Sequence, residues 1–421
     1  MTKVVVSCPI DTYSGYGARS RDFVKALIDL KKYDVQILSQ RWGNTRFGYL
    51  KAHNESDLTS RIIPNLTSKP DVWIQITVPN EFNQVGKYNI GVTAGMETTL
   101  VHNKWLEGCN RMDLILTSST HSVNTFTKSA YEQKDKATDQ VVGKLQLEKP
   151  IEVIFEGVDT TKYRPTKDDK IDLSDITEQF CYLFVGHWMQ GDFGQDRKNV
   201  GYTIKSFLEA FKNKPKQPAL ILKAHQVGTS ILDRERMLDK IEEIRRSVKG
   251  KLPNVYLLHG EVSDKEINAL YNHPKVKVMV SLTKGEGFGR PLLEFATVGK
   301  PIIASGWSGQ IDFLHREYNL LVGGDLKNVH KSAAQKEMIL EESKWFTPND
   351  QEVAKAYRES FKHYKKYEQL AKSQRKVVRD NFTYEHMVTK LGEVLNKSIP
   401  EFPTEVKLTL PKLNLPKLEK A

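Results

Sequence analysis

Cysteine is scarce in this chain, and its scarcity excludes two kinds of chemistry. The three residues, Cys8, Cys109 and Cys181, are odd in number and too scattered for a CxxC metal or redox motif. A disulfide framework is therefore not expected, and each reads as a small buried hydrophobe. Long apolar runs are missing too: segments 3–8 and 276–282 are far too short to cross a bilayer and read as buried strands. Met1 leads straight into a strand-like run, without the basic start, apolar middle and small-residue cleavage site of an export signal, so a cytoplasmic location is expected. No Asp-Xaa-Asp triplet and no His or Cys cluster at ligand spacing occurs, and neither a metal nor a bound cofactor is expected. Acidic residues fall short of basic ones, 52 against 63, for a net charge of +11. That balance suits an anionic partner, whether nucleic acid, an acidic lipid surface met peripherally or the phosphates of a nucleotide; charge alone does not choose among them.

What is present fits a globular chain of two domains. Hydrophobic residues at 39% and charged residues at 27% supply enough apolar surface for a core, and 421 residues exceed a single one. Short β-branched runs at 4–8, 35–38, 72–76, 88–92 and 114–116 alternate with helical patterns, and a second series follows at 182–185, 219–222, 255–258, 276–280 and 301–304. Strands alternating with helices imply parallel pairing through right-handed crossovers, hence an α/β class with two Rossmann-like domains whose sheets face a central cleft. The first domain is expected over 1–165, the second over 166–350, C-terminal helices that pack back on the first domain over 351–397, and an extended tail over 398–421. The polar, Lys-rich stretch 126–149 is expected to form a helix and a surface loop, and 163–174 reads as an exposed linker. Within the second series Val200, Ile204, Phe207, Leu208 and Phe211 follow a helical stripe, which is core packing. Thr383 can cap a helix carrying Met387, Leu391, Val394 and Leu395.

Open sheets of this kind bind ligands beyond the carboxyl ends of their strands, and the most informative segment lies there. Residues 281–304 read as strand, glycine loop, helix, turn, strand, with Glu286 in the loop of Gly287, Phe288 and Gly289, and Glu294 about a turn inside the helix. Pro291 suits the first helical turn and Gly299 the left-handed position after the helix. Free N–H groups at such a helix start favour an anion such as a diphosphate, and two carboxylates beside it can accept hydrogen bonds from sugar hydroxyls. The bland alternative, turn glycines and a solvated acidic face, leaves that loop context unexplained.

Glu286 and Glu294, with seven residues between them including Gly-Phe-Gly-Arg-Pro, resemble the E-x7-E signature of retaining GT-B enzymes of glycosyltransferase family four, which includes glycogen synthases and bacterial mannosyltransferases. The resemblance is strong over the second domain and loose over the first. It implies a nucleotide-diphosphate sugar as co-substrate, a hydroxyl acceptor, a hexosyl- or pentosyltransferase activity and retained anomeric configuration. By the same resemblance Glu286 contacts the donor sugar, the backbone of Phe288 and Gly289 approaches sugar and phosphate, and Glu294 holds the ribose. The family's next marker, a Gly-Arg after the second domain's first strand followed by Lys-Gly, is matched in part: Gly186-His187 stands for the first, and Arg197-Lys198, just ahead of the helical stripe, takes the diphosphate clamp. Those cations would neutralise the departing nucleotide diphosphate; otherwise they are a solvated basic turn. Ser308-Gly309-Gln310 resembles the family's Gly-Gly-Xaa-Glu turn with two departures, and Ser14-Gly15-Tyr16-Gly17 resembles its N-terminal glycine loop near the donor phosphates and acceptor. Glu97 and Tyr16 are the acceptor-side candidates; the histidine many relatives carry there is not identifiable, and His102 and His121 read equally as surface residues.

Other readings compete. Gly15-Tyr16-Gly17 after a strand resembles a nicotinamide fingerprint, but Ser20 replaces the third glycine and no ribose acid follows the second strand. A sugar-nucleotide epimerase or hydrolase on the same scaffold is separated by assaying donor hydrolysis with and without acceptors. A non-catalytic nucleic-acid-binding protein would bind without turnover and ignore Glu286→Ala. The acceptor stays open between DNA and a saccharide, the latter free or lipid-linked at a membrane surface. The chain also resembles glycosyltransferases of large tailed bacteriophages, some of which act on modified DNA bases in the infected host.

Overall fold

A computed structural model describes residues 1–135, 137–168, 170–226 and 229–403. In the first domain β1 (Thr2–Cys8) leads through Ser14 into α1 (Gly15–Asp29), and the Ser14 hydroxyl caps that helix by accepting from the Gly17 N–H at 2.9 Å. Next come β2 (Tyr33–Ser39), the short helices α2 (Tyr49–Ala52) and α3 (Ser56–Ser60), β3 (Val72–Ile76), β4 (Tyr88–Val92), α4 (Asn103–Asn110), β5 (Leu114–Thr117) and α5 (Thr120–Lys128). Then β6 (Ala130–Lys134) and β7 (Val141–Gln146) form an antiparallel hairpin before β8 (Ile151–Val153). Six strands make one parallel sheet in the order β2-β1-β3-β4-β5-β8. Its near-continuous apolar strands, Val4, Val5 and Val6 among them, are buried on both faces, as a sheet covered by crossover helices requires.

The second domain repeats the plan with β9 (Cys181–His187), α6 (Val200–Phe211), β10 (Ala219–His225), α7 (Ile231–Arg246), β11 (Val255–Leu258), α8 (Asp264–Asn272), β12 (Val276–Ser281), α9 (Arg290–Ala296), β13 (Ile302–Ser305) and β14 (Leu320–Val322). Its parallel sheet runs β11-β10-β9-β12-β13-β14, so strand order reverses between β9 and β12, and loops leaving those two strands border the crevice where such sheets take ligands. The apolar stripe of α6 is fully buried against this sheet; a large aliphatic or aromatic side chain so placed contributes roughly 1.5–3 kcal/mol. Two parallel α/β domains are therefore what the chain forms, as their strand spacing predicts.

One expectation needs correction here, and two further features add to the plan. Residues 130–146 are the β6–β7 hairpin rather than a helix with a loop: Tyr131, Leu145 and Leu147 pack on the first core at strand spacing, and the Tyr131 hydroxyl donates to the Val101 carbonyl at 2.6 Å. A further hairpin, β15 (Gly324–Asn328) with β16 (Lys344–Pro348), extends the second domain. The stretch 163–174 is exposed at most of its described residues, as expected, and is tethered at both ends: Tyr163 and Leu173 are buried and the backbone N–H groups of Arg164 and Thr166 donate to Asn268 and Asn272 of α8.

Of the C-terminal helices, α10 (Asp350–Lys362) packs on α6 and α11 (Tyr364–Asn381) on α9, both in the second domain. Only α12 (Tyr384–Ser398) returns to the first, lying on α1 with Met387, Leu391 and Leu395 buried and Thr383 accepting from the His386 N–H as its cap. At the crossing the Val158 N–H donates to the Phe382 carbonyl and the Tyr384 N–H to the Val158 carbonyl, both at 2.9 Å. The expected tail lies outside the described residues from 404 onward.

Candidate active site

Two loops of the second domain meet beyond the strand reversal. The loop after β9 reaches Arg197 and Lys198 just before α6, while the loop after β12 carries Lys284 through Gly289 into α9. They are sewn together by backbone and side chain: the Lys284 N–H donates to the Arg197 carbonyl at 2.8 Å, and the Arg197 guanidinium to the Gly285 carbonyl at 3.0 Å. Glu286 is thereby placed between the two cations, its carboxylate 2.5 Å from Lys198 Nζ and 3.4 Å from Arg197 Nη1. Burial alone would raise the Glu286 pKa, but Lys198 and Arg197 hold it below the ordinary carboxylate range. Burial pulls the Lys198 ammonium below its usual value, with Glu286 opposing. Arg197, whose burial acts the same way, is pushed above its usual value by Glu97 and Glu286. Behind the loop, the Glu286 N–H donates to Ser308 Oγ at 2.9 Å and the Gly309 N–H to the Glu286 carbonyl at 2.9 Å. Ser308-Gly309-Gln310 thus braces Glu286 from the rear.

The first domain closes over this cluster. Glu97, in the loop after β4, lies 3.4 Å from Arg197, and Ser118 Oγ donates to both the Ala94 carbonyl (2.7 Å) and the Gly287 carbonyl (3.0 Å). Two glycines make this approach feasible: a Cβ on Gly285 would sit 1.8 Å from the Glu97 carbonyl oxygen and one on Gly287 2.3 Å from that of Ala94. Tyr16 stacks on Trp42 with ring centroids 4.0 Å apart, and its hydroxyl pairs with Thr93 Oγ1 at 3.0 Å and accepts from the Ala94 N–H at 3.2 Å.

Glu294 lies on α9, buried, with the Tyr271 hydroxyl at 3.3 Å and Arg290 Nε at 3.4 Å. Burial outweighs Arg290 and raises its carboxyl to about 7. Arg290 also crosses to the first domain, 2.6 Å from Asp22 and 3.8 Å from Glu156. The sequence does not single out Arg290, since the only signal is its place beside Pro291 and its partners are remote in the chain.

Several of the expected donor contacts also carry structural duties. Gly17 is required by packing, since a Cβ there would lie 2.3 Å from the Thr12 carbonyl oxygen, whereas Gly15 faces open space. Phe288 is a core residue 5.0 Å from the Phe313 ring. Gly289 has φ +102° and opens α9. His187 lies at the end of β9, its ring 4.1 Å from His225; local burial, His225 and the nearby cations keep it neutral, with a pKa lowered to about 3. His102 caps α4. His121 packs edge-on to Trp307 at 4.5 Å and is lowered to about 4 by burial. Between Lys198, Ser281, Glu286, Gly289 and Pro291 remains a cavity of about 10 Å³ within the second domain, far smaller than the roughly 300–1,000 Å³ of ordinary ligand pockets. Among the described residues no three His, Cys, Asp or Glu side chains converge as metal ligands, and no helix is long and apolar enough to cross a membrane.

Residues 183–339 match the family model described as glycosyl transferases group 1. No curated protein matches the chain. Among solved structures it is similar to a sucrose-phosphate synthase from Thermosynechococcus elongatus, at 14% identity and a TM-score of 0.61 over 94% of this chain and 99% of that one. HepE from Anabaena, solved in complex with UDP-glucose, gives 14% and 0.61 over 94% and 100%. A glycosyltransferase from Rickettsia africae gives 13% and 0.62 over 94% and 98%. Fold and family match point the same way: the chain has the two-domain GT-B fold of these structures, and the glycosyl transferases group 1 match lies within its second domain.

Proposed function

We propose that the enzyme transfers a glycosyl group from a nucleotide-diphosphate sugar to a hydroxyl acceptor, with retention of configuration and without a metal ion. The observation that carries this reading is the buried set of Lys198, Arg197 and Glu286 at the strand reversal of the second domain. Two cations already held against one carboxylate are a matched site for a diphosphate: the anion takes over Lys198 and Arg197, and Glu286 turns to the sugar hydroxyls. When the bond between the anomeric carbon and the diphosphate oxygen breaks, the electron pair goes to that oxygen, and the same cations stabilise it. The acceptor hydroxyl then attacks from the face the diphosphate leaves and gives its proton to the departing phosphate oxygen. That HepE is solved with UDP-glucose supports a uridine donor as the first to test.

The acceptor meets the first domain. Around the mouth, Trp42 stacks on Tyr16, Arg46 lies 4.6 Å over the Tyr13 ring and Arg41 5.6 Å over Phe47, which offers a flat surface to either a nucleobase or a sugar face. With the net charge of +11 both a modified DNA base and a saccharide remain candidate acceptors. The test is a panel of UDP-, GDP- and ADP-sugars assayed for nucleotide release with duplex DNA or oligosaccharides present, followed by mass spectrometry of products. Release with neither acceptor nor product gain would make the protein a donor hydrolase, and no release with any donor would remove the proposal. Stereochemistry is read by NMR of the first product formed, and metal independence by unchanged turnover in excess chelator.

A further inference from the structure

A second cavity, of about 440 Å³, opens on the far side of the Lys284 to Glu286 loop, between the start of α6 and the β15–β16 hairpin. Lys284 lines it. This side chain is only 3% exposed, and among the described residues its ammonium group makes no hydrogen bond or ion pair; its nearest recorded partner is the Trp345 ring, 5.7 Å away. The buried Asp196 carboxylate offsets part of its charge, yet a buried ammonium without a hydrogen-bonded partner is costly. Lys327 and Lys331 stand at the rim, while the positive end of α6 is already met by Asp196, which accepts from the Val200 N–H at 3.2 Å. Against them are two acids, Glu341 and Asp350, and Asp350 is already engaged by the Tyr202 hydroxyl at 2.6 Å. Asn199 lines the same cavity, 2% exposed, and its side-chain oxygen is buried with no donor.

We propose that this cavity binds a small phosphate ester of a polyhydroxy compound. The named cations are lysines, point-charge donors suited to the tetrahedral oxygens of a phosphate, and the unpartnered Asn199 oxygen calls for a hydroxyl. The volume falls within the range of small-ligand pockets. The site is separate from the donor crevice: Lys198 and Glu286 face the other cavity, and the hairpin that walls this one carries its own small core of Val329, Ala333, Ile339 and Trp345.

The test is calorimetric titration of the full chain at pH 7 with glycerol 3-phosphate, a hexose 6-phosphate, inorganic phosphate and the free hexose, alone and with UDP present. The esters are expected to bind at least about tenfold tighter than inorganic phosphate, the free hexose not to bind, and UDP not to displace them. Lys284→Met should weaken ester binding by about tenfold or more, and so should Lys331→Glu, an exposed substitution that spares the fold should the first one fail to fold. Burial and Lys327, opposed by Asp196, lower the Lys284 pKa to about 8, so affinity should also fall at pH 9. Absence of binding by every ester, displacement by UDP, or affinity untouched by Lys331→Glu would overturn the assignment. None of these outcomes depends on the donor reading.

Discussion

Lys198 and Arg197 hold the same carboxylate but are not equally replaceable. Lys198 has Glu286 alone, whereas Arg197 also holds Glu97 and the Gly285 carbonyl. Lys198→Ala leaves Glu286 paired, and kcat is expected to fall by about 100-fold or more with little change in the urea midpoint. Arg197→Ala leaves the half-buried Glu97 and the buried Gly285 carbonyl without their partner and should lower that midpoint further, by roughly 1–3 kcal/mol of stability. Glu294 gives a pH signature. The free carboxyl titrates near about 4.3 and the folded one at about 7. Across that window the native state keeps a proton the unfolded chain has released, so stability falls as pH rises through it. Glu294→Gln should therefore raise Tm at pH 8 and leave it nearly unchanged at pH 4. At this scale the sequence shows Glu286, Glu294, Arg197 and Lys198 because each sits at a fixed offset from a strand end. It hides Asp22 and Arg290, whose 2.6 Å contact joins residues 268 apart, and it does not show that the Thr12 carbonyl constrains Gly17.

Among the elements, legibility follows burial. The strands of both sheets are apolar runs and are readable, as are the stripes of α6 and α12. The β6–β7 hairpin is not, because only Tyr131, Leu145 and Leu147 of its surroundings meet the core and its many lysines hide that alternation. β14, three residues long, and the exposed β15 carry too little pattern to register. The glycine loop before α9 has a meaning that only the assembled elements reveal: Gly285 and Gly287 admit the backbone of the first domain. Gly287→Ala should fold normally yet fail to close, with turnover reduced at least about 100-fold and an enlarged radius of gyration by small-angle scattering.

In the whole molecule the domains are drawn together at their edges by ion pairs: Arg46 with Glu261 at 2.6 Å, Lys104 with Glu337 at 2.7 Å and Arg290 with Asp22 at 2.6 Å. The first two are largely exposed and are screened by salt. Raising ionic strength from about 0.05 to about 0.5 M, across which the Debye length shortens severalfold, should widen the molecule in scattering while circular dichroism stays constant. Since the contacts of Glu97 with Arg197 and of Ser118 with Gly287 must part for a nucleotide sugar to pass between the domains, donor association should quicken over the same range until screening of the cations takes over.

The chain passes between the domains twice, once through 158–181 and again at 382–384, and the second crossing ends in a helix clasped by the first domain. A trypsin nick after the exposed Lys167 or Lys170 therefore severs one thread only. The two fragments should co-elute on a sizing column under native conditions, and part only in denaturant.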